Sequence, residues 1–112
     1  MKRALIFDPD PVSSAHIAGS FRDVGYEIVG CTIYDDAVHR ASTGVYKSVA
    51  CHLHDIEEIQ LLTRLRALQP SAMMFVFSTP EIFASDALVF GRDADSISVY
   101  RGPTSEIAAA LR

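Results

Sequence analysis

Two histidines and an aspartate lie close together at the end of an apolar run. The segment SVACHLHD contains His52, His54 and Asp55 directly after apolar residues. Alternate side chains of an extended strand share a face, so His52 and His54 point to one side. The side chains of Cys51 and Leu53 point to the other side. Titratable groups at the end of a buried strand are costly unless they are hydrogen-bonded or functional. This segment is therefore the first candidate site.

The spacing of His52 and His54 lets two imidazole rings approach one metal ion from a strand. If Asp8 or Asp10 lies nearby, the chemistry is that of a mixed nitrogen and oxygen site for zinc, nickel or copper. A small enzyme that uses the same four residues for acid and base catalysis is a second interpretation. The sequence alone favours a third interpretation, because two histidines at this spacing often occur together without a function. In it His52 is a neutral, hydrogen-bonded filler and His54 is solvated, so neither metal nor cofactor is predicted.

The composition indicates one domain with enough apolar residues for a core. The chain has 112 residues, of which 49% are hydrophobic, and a chain of this size usually forms a single domain. Ten basic residues against fourteen acidic ones give a formal charge of -4. Direct nucleic-acid binding is not expected, because it depends on Lys and Arg side chains that neutralise phosphates.

The sequence contains no targeting segment. Its N-terminal apolar run is too short for a signal peptide, and no apolar stretch approaches the length of a membrane span. Cys31 and Cys51 lie in strand-like runs and form no CxxC pair, which predicts buried free thiols. The predicted location is the cytoplasm, with no membrane association.

Short apolar runs alternate with amphipathic segments along the whole chain. The runs typical of β-strands are 3–7, 26–34, 46–53, 72–77 and 96–100. Five helical segments follow these runs, starting near Asp10, Asp35, Asp55, Thr79 and Pro103. This alternation indicates an α/β domain with a parallel sheet.

Capping residues predict where the first two helices begin and end. Asp10 and Pro11 form a favourable N-cap and first-turn pair, and Gly25 is placed to end the first helix. Either Asp35 or Asp36 is predicted to cap the second helix.

Ligands of parallel α/β sheets bind beyond the carboxyl ends of the strands. The polar residues at or just after these ends are Asp8, Asp10, His52, His54, Ser78, Thr79, Tyr100 and Arg101. Neither GxGxxG nor GxxxxGK[ST] occurs in the sequence, so dinucleotide and P-loop nucleotide sites are not expected.

These strand ends resemble the pocket of the receiver domain of two-component response regulators. The motifs LIFDPDP, SVACHLHD, MMFVFST and ISVYRGP occur in that order over essentially the whole chain. The resemblance implies a flavodoxin-like, three-layer αβα sandwich with a five-stranded parallel sheet of order 2-1-3-4-5. In that family, acids after the first strand bind magnesium and an aspartate ending the third strand takes a phosphoryl group. A Ser/Thr and a Lys-Pro pair read out the phosphorylated state.

The pocket departs from the family pattern at several positions. Asp8 matches the first acid, but Pro9 replaces the second, and Asp10 lies one residue further on. His52 stands where the family requires the phosphoryl-accepting aspartate, while Ser78 matches the Ser/Thr position. Imidazole and proline supply none of the oxygen ligands that magnesium prefers.

Two further residues near the pocket have alternative interpretations. Either Tyr100 or Arg101 stands where the family lysine is missing, and the guanidinium of Arg101 could pair with the pocket carboxylates. Asp55 could be a displaced acceptor, but with Glu58 three residues later it reads more simply as a helix cap.

The resemblance and the departures together imply a pseudo-receiver: a non-enzymatic signalling domain that is not phosphorylated at the aspartate position. Its degenerate pocket consists of Asp8, Asp10, His52, Ser78 and Arg101. A small metal-binding or acid–base enzyme using Asp8, Asp10, His52 and His54 is kept as an alternative. A functional phospho-receiver with an unorthodox pocket is another.

The expected partner is another protein or a second copy of this chain. The resemblance places the contact on the face formed by the fourth helix, the fifth strand and the fifth helix. The candidate interface residues are Phe83, Val89, Phe90 and Tyr100. Residues 1–112 form one receiver-like domain in this interpretation, as the N-terminal part of a longer regulator.

Overall fold

The computed structural model describes residues 2–78 and 97–99. They form a parallel sheet in the order β2-β1-β3-β4-β5. Its strands are β1 (Lys2–Phe7), β2 (Tyr26–Cys31), β3 (Ser48–Leu53), β4 (Met73–Ser78) and β5 (Ile97–Val99). The parallel α/β class and the predicted order of the first four strands are confirmed. The three residues of β5 pair with β4 through the register Met74↔Ile97.

Three α-helices connect the first four strands. They are α1 (Pro11–Asp23), α2 (Tyr34–Thr43) and α3 (Ile59–Leu68), and a 3-10 turn (Ile56–Glu58) leads directly into α3. Helix α3 ends before Pro70, as predicted. The predicted helices after Thr79 and after Pro103 lie outside the described residues.

The caps of α1 agree with the sequence. The carboxylate of Asp10 accepts a hydrogen bond from the backbone N–H of Val12 at 2.9 Å, and Pro11 occupies the first helical position. Beyond the other end of α1, Gly25 has a φ of 93°, a left-handed conformation that favours glycine. Its N–H donates to the carbonyl of Arg22 at 2.9 Å, so the helix ends where expected.

The start of α2 differs from the prediction. The helix begins at Tyr34 after Ile33, without a side-chain cap, and both Asp35 and Asp36 lie within its first turn. Negative charge is favourable there because it faces the positive end of the helix dipole. Asp36 also pairs with Arg40 one turn later at 3.6 Å. The acidic pair therefore stabilises the helix from inside its first turn.

Strand β2 ends at Cys31 instead of reaching residue 34. Among the described strands, this edge strand pairs only with β1. The last pair of their register is Phe7↔Cys31, and on the other side of β1 Phe7 pairs with Cys51 of β3. Beyond it the carbonyl of Cys31 accepts a hydrogen bond from the backbone N–H of Asp8 at 3.0 Å. The chain of β1 then turns away, so β2 has no partner along which to continue.

Apolar clusters cover both faces of the sheet. Alternate residues of β1 divide between them, with Leu5 on the side of α2 and α3 and Ile6 on the side of α1. Both side chains are fully buried. Helices on opposite faces of one parallel sheet make three layers, which agrees with the predicted sandwich. Among the described helices, none is long and apolar enough to cross a membrane.

Both cysteines are buried free thiols, as predicted. Burial, together with the neighbouring carboxylate of Asp36, raises the pKa of Cys31 to about 12. Burial also raises the pKa of Cys51. Neither thiol has the lowered pKa of a reactive cysteine.

Candidate functional site

Asp8 lies at the carboxyl end of β1, where the sheet opens towards the first turn of α1. Its side chain is fully buried. The register of β1 and β3 pairs Phe7 with Cys51, which brings Asp8 beside His52 on the face that α1 covers. The two positions that the sequence placed at one end of the sheet are therefore direct neighbours.

The carboxylate of Asp8 accepts hydrogen bonds at both oxygens. Oδ1 accepts from the backbone N–H of Asp10 and from Nε2 of His54, each at 2.9 Å. Oδ2 accepts from Oγ of Ser13 and from Nδ1 of His52, the latter at 3.0 Å. A buried carboxylate is costly unless it is satisfied in this way.

The ionisation of Asp8 follows from these contacts. Burial by itself would raise the pKa of Asp8, but the hydrogen bonds from His52, Ser13, the backbone of Asp10 and His54 outweigh it. The net result is a pKa of Asp8 below its ordinary value. At neutral pH the carboxylate is ionised and can only accept hydrogen bonds, so the facing nitrogen of each imidazole is the donor.

The imidazole rings of His52 and His54 lie against each other. Their centroids are 4.2 Å apart, with an angle of 42° between the ring planes. His52 also meets Phe77 of β4 edge to face. Its side chain is 19% exposed and that of His54 is 37% exposed. The structure confirms that His52 is hydrogen-bonded and that both rings share a face.

His54 is exposed, as expected of a solvated side chain, and it is also hydrogen-bonded within the pocket. Its Nε2 atom binds Asp8, and its backbone N–H donates to Oε1 of Glu58 at 2.7 Å. Both ends of the residue are therefore held. A spacing of two places both rings on one face, but it does not reveal the hydrogen bond from Nε2 of His54 to Asp8.

Asp55 acts as a helix cap, as predicted. Its carboxylate accepts from the backbone N–H of Glu57 at 3.1 Å, while its own N–H donates to Glu58 at 3.0 Å. The arrangement resembles a capping box, except that the carboxylate of Asp55 accepts from the N–H of Glu57 and not from that of Glu58. It opens the 3-10 turn that precedes α3 and fixes the chain directly after the histidines.

Asp10 is near the pocket, but its carboxylate serves α1. One oxygen accepts from Val12, and the contribution of Asp10 to Asp8 is a backbone N–H. The backbone of Ser78 ends β4 opposite Leu53. Its side chain lies outside the described part of the chain. Also outside it are Arg101, Phe83, Val89, Phe90 and Tyr100.

Ser13 is a pocket residue that the sequence analysis missed. Its hydroxyl donates to Asp8 and lies 3.2 Å from Nδ1 of His52. The available signal was its position three residues after the N-cap Asp10. A side chain in the first turn of α1 lies next to the strand end that the helix follows.

The donor set does not fit magnesium, the metal that the receiver resemblance implies. One ligand atom from each of Asp8, His52 and His54 can be chosen so that all lie within 4.8 Å of one another. Two of the three donors are imidazole nitrogens, whereas magnesium requires near-octahedral oxygen ligands. The described pocket is therefore not built for this ion.

Comparison with known proteins identifies the fold. No protein-family model matches the sequence, and no curated protein matches it. A response regulator from Burkholderia pseudomallei is similar over all of this chain and 67% of its own, with 24% identity and a TM-score of 0.74. Its structure contains a phosphorylated aspartic acid and a calcium ion. The chain has the receiver-domain fold.

Two further receiver structures are equally similar. A CheY-like receiver domain from Methanospirillum hungatei matches 99% of this chain and 90% of its own, with 17% identity and a TM-score of 0.76. The response regulator TrrA from Thermotoga maritima, in complex with Mg²⁺ and BeF, matches 99% and 96% with 18% identity and a TM-score of 0.76. At these identities the likeness shows a shared receiver fold.

Proposed function

We propose that this chain is a receiver-like signalling domain that acts by protein contact and is not phosphorylated at the usual aspartate position. The observation that supports this most strongly is the hydrogen bond between His52 and Asp8. In the resemblance to receivers, His52 stands at the acceptor position. An internal hydrogen-bond network occupies the place where phosphoryl chemistry would need a free carboxylate.

The chemistry of His52 supports the proposal. An aspartate acceptor attacks phosphorus with a carboxylate oxygen, whereas Nδ1 of His52 donates its hydrogen to ionised Asp8. That nitrogen has no free lone pair in this arrangement. Asp8, the described carboxylate that faces into the pocket, already accepts hydrogen bonds at both of its oxygens.

A ligand shifts a conformational equilibrium only when it binds one state better than the other. In this proposal a protein partner or a second copy of the chain has that role, in the cytoplasm. We propose that the domain is a complete five-stranded sandwich. We also propose that it binds its partner through the face that the receiver resemblance suggests. That face comprises the predicted helix after Thr79, the strand around 97–99 and the predicted helix after Pro103.

The acid–base enzyme interpretation is less well supported. It needs Asp8, Asp10, His52 and His54 to act on a substrate, but the carboxylate of Asp10 caps α1 and that of Asp8 is fully hydrogen-bonded and buried. A general acid or base must reach the substrate within hydrogen-bond distance.

An amide NMR titration with magnesium and beryllofluoride, a mimic of the phosphoryl group, tests the proposal. The amide resonances of Asp8, Ser13 and His52 are expected to stay in place. A parallel incubation with acetyl phosphate is expected to leave the intact mass unchanged. Saturable shifts at these amides, or a phosphorylated species, would instead make the domain a phospho-switch with an unorthodox pocket.

A further inference from the structure

We propose that Asp8, His52 and His54 form a binding site for a divalent transition metal of the zinc class. The site is distinct in chemistry from the magnesium site that the fold implies. It depends on described side chains only and does not require the signalling role proposed above.

The three ligand groups lie close to one another. Nδ1 of His52 lies 3.0 Å from Oδ2 of Asp8, and Nε2 of His54 lies 2.9 Å from Oδ1. In a tetrahedral zinc site, metal–ligand distances near 2.1 Å place neighbouring ligand atoms about 3.4 Å apart. The two contacts go to different oxygens of Asp8, and the three ligand atoms lie within 4.8 Å of one another, so an ion would have to draw the two rings together around the carboxylate.

The donor types select the metal. Two imidazoles and one carboxylate suit zinc and related transition metals, whereas magnesium prefers oxygen ligands. Three protein ligands leave at least one coordination position for water or for a donor from another molecule.

The charge balance of the pocket favours a cation. Within the described residues, the two histidines are the ion-pair partners of Asp8, and neither a lysine nor an arginine takes that role. A divalent ion would compensate the buried carboxylate directly. The ion would take the place of the two imidazole hydrogen bonds that now satisfy this carboxylate.

Neighbouring groups hold the ligands in place. Ser13 and the backbone N–H of Asp10 donate to the two oxygens of Asp8, and these bonds can remain when the imidazoles bind the ion. Glu58 fixes the backbone of His54. Outer contacts of this kind orient ligands and strengthen metal binding.

Metal binding requires a proton shift on each ring but no redox chemistry. The nitrogen that faces Asp8 exchanges its hydrogen for the metal, and a neutral ring then carries its proton on the other nitrogen. Both rings are partly exposed. An ion can therefore reach them from solvent while Asp8 stays buried.

Calorimetric titration of the chelator-treated, tag-free chain with Zn²⁺ tests the site, with Mg²⁺ titrated in parallel. We expect one saturable Zn²⁺ per chain and no saturable Mg²⁺. His52→Ala and His54→Ala are each expected to weaken Zn²⁺ binding at least about tenfold, since each removes one of three ligands. The matched control is His39→Ala, an exposed histidine on α2, which should leave the affinity within about twofold.

Imidazole NMR of the wild-type chain provides a readout that does not depend on how the variants fold. Zn²⁺ is expected to shift the ring signals of His52 and His54 and to leave those of His16 and His39 in place. Absence of saturable binding, equal loss in the His39 variant, or unshifted rings of His52 and His54 would overturn the site. Because this test uses neither magnesium nor beryllofluoride, it can fail while the proposed signalling function stands.

Discussion

At the scale of single residues, the pocket is organised around one buried carboxylate. The sequence placed Asp8 and His52 at the same end of the sheet, because carboxyl ends of parallel strands share an edge. It could not place Ser13 or direct the ring of His54. Those contacts depend on the rotation of α1 and on the chain after β3, which follow from packing rather than from residue spacing.

Asp8→Asn is expected to lower the free energy of unfolding by roughly 2 kcal/mol at neutral pH, because hydrogen bonds to a charged group are lost. The folded pKa of Asp8 is lowered, so the wild-type contribution is present above the unfolded pKa of 3.8 and disappears as pH falls through the folded value. The gap in unfolding free energy between wild type and variant should therefore narrow as pH falls below 3.8 and through the lowered folded pKa. Denaturant unfolding at several pH values measures this gap. A difference in unfolding free energy that stays constant with pH would contradict the role of Asp8.

At the scale of elements, side chains at helix ends fix the turns of the chain. The sequence predicted the caps at Asp10, Gly25 and Asp55, because each acts through neighbours within a few residues. It misplaced the start of α2, since two adjacent aspartates are each suited to a cap or to a first turn. The residue at which β2 ends depends on its partner strand, so it could not be predicted from the neighbouring residues either.

Glu58→Ala is expected to destabilise the folded state by about 1 to 2 kcal/mol, in the range of other lost caps. Oε1 of Glu58 accepts from the backbone N–H groups of both His54 and Asp55. Glu57→Ala, which changes an exposed glutamate in the same turn, is the matched control and should cost much less. Equal urea midpoints for the two variants would show that the capping box contributes nothing.

A buried glutamine joins three elements at the opposite end of the sheet. Oε1 of Gln69 accepts from the N–H of Tyr46, and its Nε2 donates to the carbonyls of Ala41 and Gly44 at 2.7 and 2.8 Å. These bonds tie the end of α3 to the end of α2 and to the start of the chain that enters β3. No sequence pattern marks Gln69, because all partners of its side chain are at least 23 residues away.

Gln69→Leu is expected to cost about 2 to 4 kcal/mol of folding free energy. The substitution keeps the volume but leaves several buried backbone groups without their partner, each at a penalty of about 1 to 3 kcal/mol. Gln60→Leu, on the exposed side of α3, provides the comparison and should change stability by less than about 0.5 kcal/mol. Thermal unfolding of the two variants decides whether Gln69 has this structural role.

At the scale of the whole molecule, the alternation of strands and helices made the architecture predictable. Continuous apolar runs indicated strands covered on both faces, and the two apolar clusters have this arrangement. The strand order came from resemblance to receiver domains rather than from periodicity. Residue patterns alone do not say which strands are neighbours when every connection is a crossover helix.

The proposed contact face predicts the behaviour of a surface variant. Phe90→Glu should weaken self-association or partner binding at least about tenfold, because a charge within an apolar contact is costly to desolvate. Val45→Glu, at a residue that is 83% exposed in the loop before β3, is the control. Sedimentation equilibrium measures the self-association of each variant, and circular dichroism shows whether each variant is folded. A folded Phe90→Glu protein that associates like the control would exclude the face.

The position of β1 and β3 at the centre of the sheet has a consequence for the kinetics of the pocket. Each pairs on both sides, and the residues at the end of β1 and the start of β3 are buried without interruption. Their amide hydrogens are expected to exchange with solvent only in the most extensive opening of the molecule. The pocket side chains are therefore attached to the strands whose backbone is expected to open most slowly. Ions would enter and leave by rotation of imidazole rings, on timescales much shorter than any separation of strands.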